Sequence, residues 1–143
     1  MSTLERAIEI AAKHHAGQTD KAGQPYLLHP LRLMFAVSSP FEMMAAVLHD
    51  VVEDTILTLE DLEREGFHAD VIAAIDALTK KPGESRLEAA ERAAQNAIAR
   101  VVKLADVSDN MDLRRIAEPK EKDFERLKEY VEVRKLLLKP NPT

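Results

Sequence analysis

Apolar residues recur three and four positions apart along nearly the whole chain, the spacing of a buried helix face. Leu4, Ala7, Ile8, Ala11 and Ala12 form the first stripe, with Thr3 placed to cap it and Gly17 to end it. Thr19 to Gln24 reads as a polar loop, and Pro25-Tyr26 as its extended exit. Pro30, directly after His29, is placed to open a second helix through Leu33, Met34 and Val37. Ser39-Pro40 starts a third, predicted from Phe41 to about Glu53. Its run Met43-Met44-Ala45-Ala46-Val47-Leu48 is apolar on every side, as a helix buried all round must be. Thr58 with Asp61 resembles a cap with first-turn acids, opening a short helix to Glu65 that Gly66 ends. A further helix is predicted over about Ala69 to Thr79, broken by Lys80-Lys81-Pro82-Gly83. From Leu87 to about Asn110 the pattern is helical, either divided near Arg100 or carried through Val101-Val102-Lys103-Leu104. The last helix spans about Lys120 to Leu138, and Pro140 and Pro142 end the fold. No strand pattern, repeat or low-complexity segment interrupts this. The expectation is one all-α domain of packed helices over residues 1–143.

Composition narrows the chemistry such helices can carry. The chain has no cysteine, which excludes a disulfide scaffold and any Cys-ligated zinc or iron–sulfur site. With 4 glycines, a glycine-rich phosphate loop is disfavoured. A metal would have to be held by some of the 5 histidines and 25 acidic residues. The net charge of -5 gives no general reason to bind nucleic acid, but permits a local basic pocket for a phosphorylated small molecule. No signal-peptide pattern opens the chain and no stretch reaches the length of a membrane span. The expectation is a cytoplasmic protein.

One segment sets polar chemistry inside this apolar pattern. His49-Asp50-Val51-Val52-Glu53-Asp54 lies at the end of the most hydrophobic predicted helix. His49 and Glu53 are four apart, as are Asp50 and Asp54, so each pair shares a helix face. Ionised groups emerging from such a helix must be paired, hydrogen-bonded or metal-bound, because unpaired burial is costly. On these six residues alone two readings stand: a metal and acid–base site, or a satisfied core histidine beside a solvated acidic helix end. Two other segments favour the first. His29 stands at a helix start stiffened by Pro30. Lys103-Leu104-Ala105-Asp106 puts an isolated carboxylate in an apolar run, with Asp109 next and Asn110 four residues on. Brought together, His29, His49, Asp50 and Asp106 would form a mixed nitrogen and oxygen set suited to manganese, iron or another divalent first-row ion.

These segments resemble, in order, the motifs of the HD-domain metal-dependent phosphohydrolases. Within them the chain is similar to the hydrolase domain of the RelA/SpoT group and the small stand-alone alarmone hydrolases. The resemblance rests on Gly17-Gln18 and on the stretch from Lys21 through Tyr26 to His29-Pro30. It continues with His49-Asp50-Val51-Val52-Glu53-Asp54-Thr55, Thr79-Lys80 and Lys103-Leu104-Ala105-Asp106 with Asn110, and covers about Leu4 to Leu138. It implies the compact multi-helix HD fold. It also implies one divalent ion, commonly Mn²⁺, on His29, His49, Asp50 and Asp106, and a catalytic pair at Glu53 and Asp54. Lys21 and Asn110 would meet the nucleotide, Asn110 near its ribose and phosphate. The implied activity is a guanosine-3′,5′-bis(diphosphate) 3′-pyrophosphohydrolase. It would cleave the 3′-pyrophosphate of (p)ppGpp in the manner of a stringent-response enzyme. The length leaves no room for the synthetase and regulatory domains of longer relatives, so hydrolysis alone is expected.

The chain also departs from that pattern. Relatives usually carry Arg-Lys in the early loop, where the arginine packs on guanine; here the pair is Asp20-Lys21. Val107 replaces the usual basic residue after Lys-Leu-Ala-Asp, and Arg114 and Arg115 are expected to supply replacement charge to the substrate. The departures bear on substrate more than on chemistry. Two alternatives are therefore kept: an HD hydrolase of another phosphate ester, such as (p)ppApp, a dNTP or a nucleoside monophosphate, and a non-enzymatic metal- or nucleotide-binding module. Of the remaining residues, His14 and His15 are expected to point one inward and one outward, His68 to be a cap or surface group, and Met43-Met44 to fill core. Lys80-Lys81 reads as a solvated loop or an entrance lining. The charged last helix is expected to be an amphipathic cover or a homo-oligomer face.

Overall fold

A computed structural model describes residues 1–139, so the terminal prolines Pro140 and Pro142 lie outside the described residues. Helices follow one another as α1 (Leu4–His14), α2 (Leu28–Ala36), α3 (Pro40–Leu48), α4 (Val51–Asp54), α5 (Leu59–Arg64), α6 (Ala69–Leu78), α7 (Arg86–Ala94), α8 (Ala97–Asn110) and α9 (Glu121–Leu138). A 3₁₀ turn at Leu113–Arg115 joins α8 to α9, and an isolated antiparallel bridge pairs Thr19 with Pro25. The fold is compact and all-α. Among the described residues no helix is long and apolar enough to cross a membrane.

The caps read from the sequence do their expected work. Thr3 accepts from the Arg6 N–H, Ser39 and Thr58 close capping boxes with Glu42 and Asp61, and Gly66, at φ +88°, ends α5. The apolar run of α3 sits at the centre, packed by α1, α2, α6 and α8. Ala45 and Ala46 are wholly buried, and their small side chains let those neighbours approach closely. Val47 and Leu48 fill the space beside them. A second cluster, Ala90, Ala94, Val107, Val133 and Leu137, glues α9 onto α7 and α8. The charged last helix is thus a cover over one side of the bundle.

Three boundaries differ from the expected ones. Helix α2 starts at Leu28, so His29 and Pro30 both fall in its first turn, where a missing N–H is tolerated. The third helix does not run on to Glu53 but breaks at His49 and Asp50. There the His49 N–H turns back to the Ala46 carbonyl at 3.4 Å, and its ring Nδ1 takes the same carbonyl at 2.7 Å. The long helix from Leu87 divides not near Arg100 but at Gln95–Asn96, where the Asn96 side chain accepts from the Ala99 N–H at 2.9 Å and caps α8. Arg100 instead reaches the carbonyls of Leu137 and Lys139 at the end of α9.

The α6–α7 loop is held in a defined shape by Arg92. Its guanidinium donates to the carbonyls of Asp76, Ala77 and Thr79 and to both carboxylate oxygens of Glu84. That fixes Lys80 close to α4, which matters below. The central packing can be tested independently of any site chemistry. Leu48→Ala is expected to lower unfolding free energy by about 3 kcal/mol in urea denaturation, the typical result of emptying a fully buried leucine site.

Candidate metal centre

Four polar side chains from three separate elements meet beneath this core. His29 comes from the first turn of α2, His49 and Asp50 from the break between α3 and α4, and Asp106 from the middle of α8. His49 Nε2 lies 2.9 Å from Asp50 Oδ2 and 3.7 Å from Asp106 Oδ1, while His29 Nε2 lies 2.9 Å from the same Asp106 oxygen. Both imidazoles present Nε2 to the cluster because Nδ1 is engaged elsewhere, on the Ala46 carbonyl for His49 and on Asp109 Oδ2 for His29. His29, His49 and Asp106 are buried.

Such a set fits a divalent cation. His49 Nε2 is buried yet makes no hydrogen bond, despite the carboxylate beside it. Donor atoms of His29, His49 and Asp50 lie within 4.8 Å of one another, and so do those of Asp50, Glu53 and Asp54. Two nitrogens and several carboxylate oxygens suit a first-row divalent ion. The protein's own electrostatics are tuned accordingly. Burial pulls both histidines down, but the carboxylates outweigh it: Asp106 and Asp109 raise His29, and Asp50 and Asp106 raise His49 well above the ordinary imidazole range. Burial pushes Asp106 and Asp50 up, but Lys103 and the histidines hold Asp106, and His49 holds Asp50, below the usual carboxylate range. Lys103 Nζ stands 3.2 Å from Asp106 Oδ2.

Glu53 and Asp54, on the one-turn helix α4, form the exposed lip of the cluster. Glu53 Oε1 accepts the Lys80 N–H at 2.9 Å, so the loop shaped by Arg92 fixes one catalytic candidate. Asp54 is pushed up to about 6, by burial first and then by the charges of Asp50 and Glu53. Tyr26 donates its hydroxyl to Asp50 Oδ2 and packs its ring between His15 and His29. His15 is buried and bonds Gln18 at 2.8 Å, while His14 stays partly exposed, as the split expectation for that pair requires. His68 is a cap: its Nδ1 accepts the Asp70 N–H at 3.0 Å.

Two cavities adjoin at Tyr26, Asn110 and Tyr130. The inner one, about 260 Å³, contains the four-residue cluster, Glu53 and Asp54, and is lined by the cations Lys80, Arg86 and Lys103. The outer one, about 290 Å³, is lined by Lys21, Leu113, Ile116, Leu127 and Arg126 among others. Lys21 and Asn110 are thus brought in, Asn110 at the boundary, where its amide donates to Asp106 Oδ1 at 3.1 Å. The two arginines expected to supply replacement charge are placed differently from each other. Arg114 is 89 % exposed and folded onto Asp112, away from both cavities. Arg115 lines the outer cavity, but its charge is already shared by Asp109 at 2.9 Å and Asp20 at 3.7 Å. Asp20 turns inward to accept the N–H groups of Ala22 and Gln24, shaping its own loop. Val107 is buried in the second cluster, on the face of α8 away from the site. In the inner cavity, the cations that the sequence did not assign to substrate are Lys80, Arg86 and Lys103. Lys103 had a signal, three residues before Asp106. Arg86, held over the Tyr130 ring at 4.7 Å and against Glu129 at 3.1 Å, had none, because its partners lie more than forty residues away.

Comparison with known proteins agrees with this architecture. A family model described as an HD domain matches residues 7–110. A GTP pyrophosphokinase of Streptomyces coelicolor is 36 % identical over 143 aligned residues, covering 91 % of this chain and 17 % of that protein. The bifunctional (p)ppGpp synthase/hydrolase SpoT of Escherichia coli is 34 % identical, covering 76 % of this chain and 17 % of that protein. The chain therefore spans under a fifth of the length of these curated relatives. A solved structure described as a metazoan ortholog of SpoT that hydrolyzes ppGpp superposes with a TM-score of 0.81. Its identity is 26 %, over 96 % of this chain and 86 % of that one. The chain belongs to the HD-domain family, and within it is homologous to the RelA/SpoT type.

The raised histidines set a pH dependence. A group whose folded pKa is raised stabilises the fold below its unfolded value, near 6.5 for histidine, and that contribution is lost as pH rises through the folded value. Asp54, raised to about 6, acts in the same direction between about pH 4 and 6. Chelator-treated protein is therefore expected to lose melting temperature from pH 6 to 9. Saturating Mn²⁺ is expected to remove that loss, because a cation replaces the protons that balance Asp50 and Asp106. Differential scanning fluorimetry across pH, with and without metal, checks it; parallel profiles would contradict it.

Proposed function

We propose that this chain is a metal-dependent phosphohydrolase that removes the 3′-pyrophosphate of (p)ppGpp, releasing GDP or GTP and pyrophosphate. Residues 1–143 are read as one hydrolase domain, with His29, His49, Asp50 and Asp106 as ligands of a single divalent ion, Mn²⁺ in the first instance. The observation that carries the reading is the junction of the two cavities: a cluster of metal-type donors and cations in one, an amphipathic recess in the other, joined at Asn110. A nucleotide with a pyrophosphate on its ribose needs both kinds of surface, side by side. The RelA/SpoT homology, including relatives named for this hydrolysis, supports the same substrate class.

The roles follow from position and charge. A divalent ion on these ligands supplies Lewis acidity toward a phosphate oxygen and lowers the pKa of water. Glu53, anchored by the Lys80 N–H, orients the attacking water and takes its proton. Asp54, pushed up to about 6 first by burial, is the acid placed to give its proton to the departing 3′ oxygen. Water's oxygen thus joins phosphorus as the bond to the 3′ oxygen breaks, and the proton balance closes between the two acids. Lys80, Arg86 and Lys103 offset the charge of the leaving pyrophosphate. Lys21 and Asn110 hold the nucleoside side. Asp20 favours keeping a second substrate reading, the same chemistry on (p)ppApp or another nucleotide. It leaves no guanidinium on the loop to pack on a guanine base.

With Mn²⁺ supplied, (p)ppGpp is expected to be hydrolysed to GDP or GTP and pyrophosphate faster than dNTPs or nucleoside monophosphates. A preference for (p)ppApp would select the second reading. Glu53→Gln is expected to keep its metal while kcat falls by at least ~100-fold, the usual contribution of a general base. Metal content measured beside the rate separates the effects. Loss of the ion in that variant would remove Glu53 from the proposed role. His49→Ala and chelation are each expected to abolish turnover.

A further inference from the structure

Behind His29, on the side away from the cluster, stands a group that the catalytic reading does not use. Asp109 lies at the end of α8, one turn beyond Asp106, and its side chain is 13 % exposed. Four contacts hold it. Its Oδ2 is 2.6 Å from His29 Nδ1 and its Oδ1 is 2.8 Å from Arg32 Nε. Arg32 Nη2 closes the second arm of a fork on Oδ2 at 3.0 Å, and Arg115 Nη1 meets Oδ2 at 2.9 Å.

Arg32 comes from α2, one turn after His29, and Arg115 from the 3₁₀ turn. The carboxylate is therefore bolted to three points on two other elements. A fork of this kind fixes direction as well as distance.

We propose that Asp109 is the positioning residue of the metal centre, locking the proton of His29 on Nδ1 so that Nε2 faces the ion as a lone-pair donor, with Arg32 and Arg115 holding Asp109 in place. The inference rests on the reading of His29 as a metal ligand. The chemistry runs as follows from the inventory of each group. A carboxylate only accepts, so Nδ1, which faces Asp109, carries a hydrogen; Nε2 faces Asp106 Oδ1 at 2.9 Å, and it is the nitrogen that gives up its proton when an ion takes the place between them. An imidazole whose N–H is given to a carboxylate is also a stronger ligand. The Asp109 carboxylate is held against His29 by the two-armed contact from Arg32 and by Arg115. The outward nitrogen of His49 is occupied differently, by the Ala46 carbonyl of its own helix, so only His29 depends on a side chain for its orientation.

The test is metal affinity, read without substrate. Wild-type, Asp109→Asn and Arg32→Ala proteins are stripped with chelator and titrated with Mn²⁺ by calorimetry, alongside melting curves of the stripped forms. Asparagine keeps the size but offers an NH₂ where one guanidinium or the imidazole needs an acceptor. Asp109→Asn is expected to weaken binding by ~10–100-fold, the range seen when a ligand histidine loses its outer partner. Arg32→Ala, which leaves the carboxylate but loosens it, is expected to weaken binding in the same direction by less. The double variant is expected to match Asp109→Asn, because both act through one contact. With activity measured against metal concentration, Asp109→Asn is expected to need more metal for half-saturation and to recover the wild-type kcat at saturation. Wild-type affinity in both single variants, with or without a lowered melting temperature, makes Asp109 a strut between helices and overturns the proposal. A wild-type protein that binds no metal would instead overturn the reading beneath it. Should Asp109→Asn fail to fold, Arg32→Ala alone decides.

Discussion

The arrangement depends on where two imidazole rings spend their outward nitrogens. His49 gives Nδ1 to a carbonyl of its own helix and His29 gives Nδ1 to Asp109, so both Nε2 atoms are turned inward toward Asp50 and Asp106. That places two imidazoles and two carboxylates together, with His29, His49 and Asp106 buried. Buried charge without a partner is costly, so the cluster must be balanced by protons, by Lys103 or by a cation. The break after α3 and the placement of α8 across it both serve this convergence. A straight helix through Glu53 would have carried His49 and Asp50 round to different faces.

The same electrostatics reach outward in steps. Asp50 is shared between the inner donors and the carboxylates of α4, and its charge adds to burial in pushing Asp54 up to about 6. Glu53 does not stand free: the Lys80 amide holds it, and Arg92 holds the loop that carries Lys80. A site on a one-turn helix thereby gains rigidity from a loop more than twenty residues away in sequence. Tyr26 and Asn110 stand where the inner and outer cavities meet, one bonded to Asp50 and the other to Asp106. The outer cavity is thus linked to the inner cluster through single hydrogen bonds.

Much of this was legible in the residues. The helix start at Ser39-Pro40, the cap at Thr58 with Asp61, the all-round apolar run before His49 and the charged cover helix could be read from local spacing. The ordered motifs named His29, His49, Asp50 and Asp106 before any geometry was available. What stayed hidden was hidden for physical reasons. The break at His49–Asp50 comes from a ring nitrogen competing for a backbone carbonyl, which hydrophobic periodicity does not register. The division at Asn96 did carry a signal, a capping side chain, but the unbroken alanine pattern on either side masked it. Arg114 and Arg115 are adjacent in sequence yet take different partners, Asp112 for one and Asp109 with Asp20 for the other. Arg86 and Asp109 depend on partners on distant elements, Glu129 and Tyr130 for one, His29 and Arg32 for the other, and only the packed fold joins them.

The central claim is that these four donors form one ion site. Crystals of the wild-type protein soaked in Mn²⁺, measured for anomalous scattering, test it directly. The account predicts one strong peak per chain within bonding distance of His29 Nε2, His49 Nε2, Asp50 and Asp106. A peak elsewhere, or none at saturating metal, would contradict it.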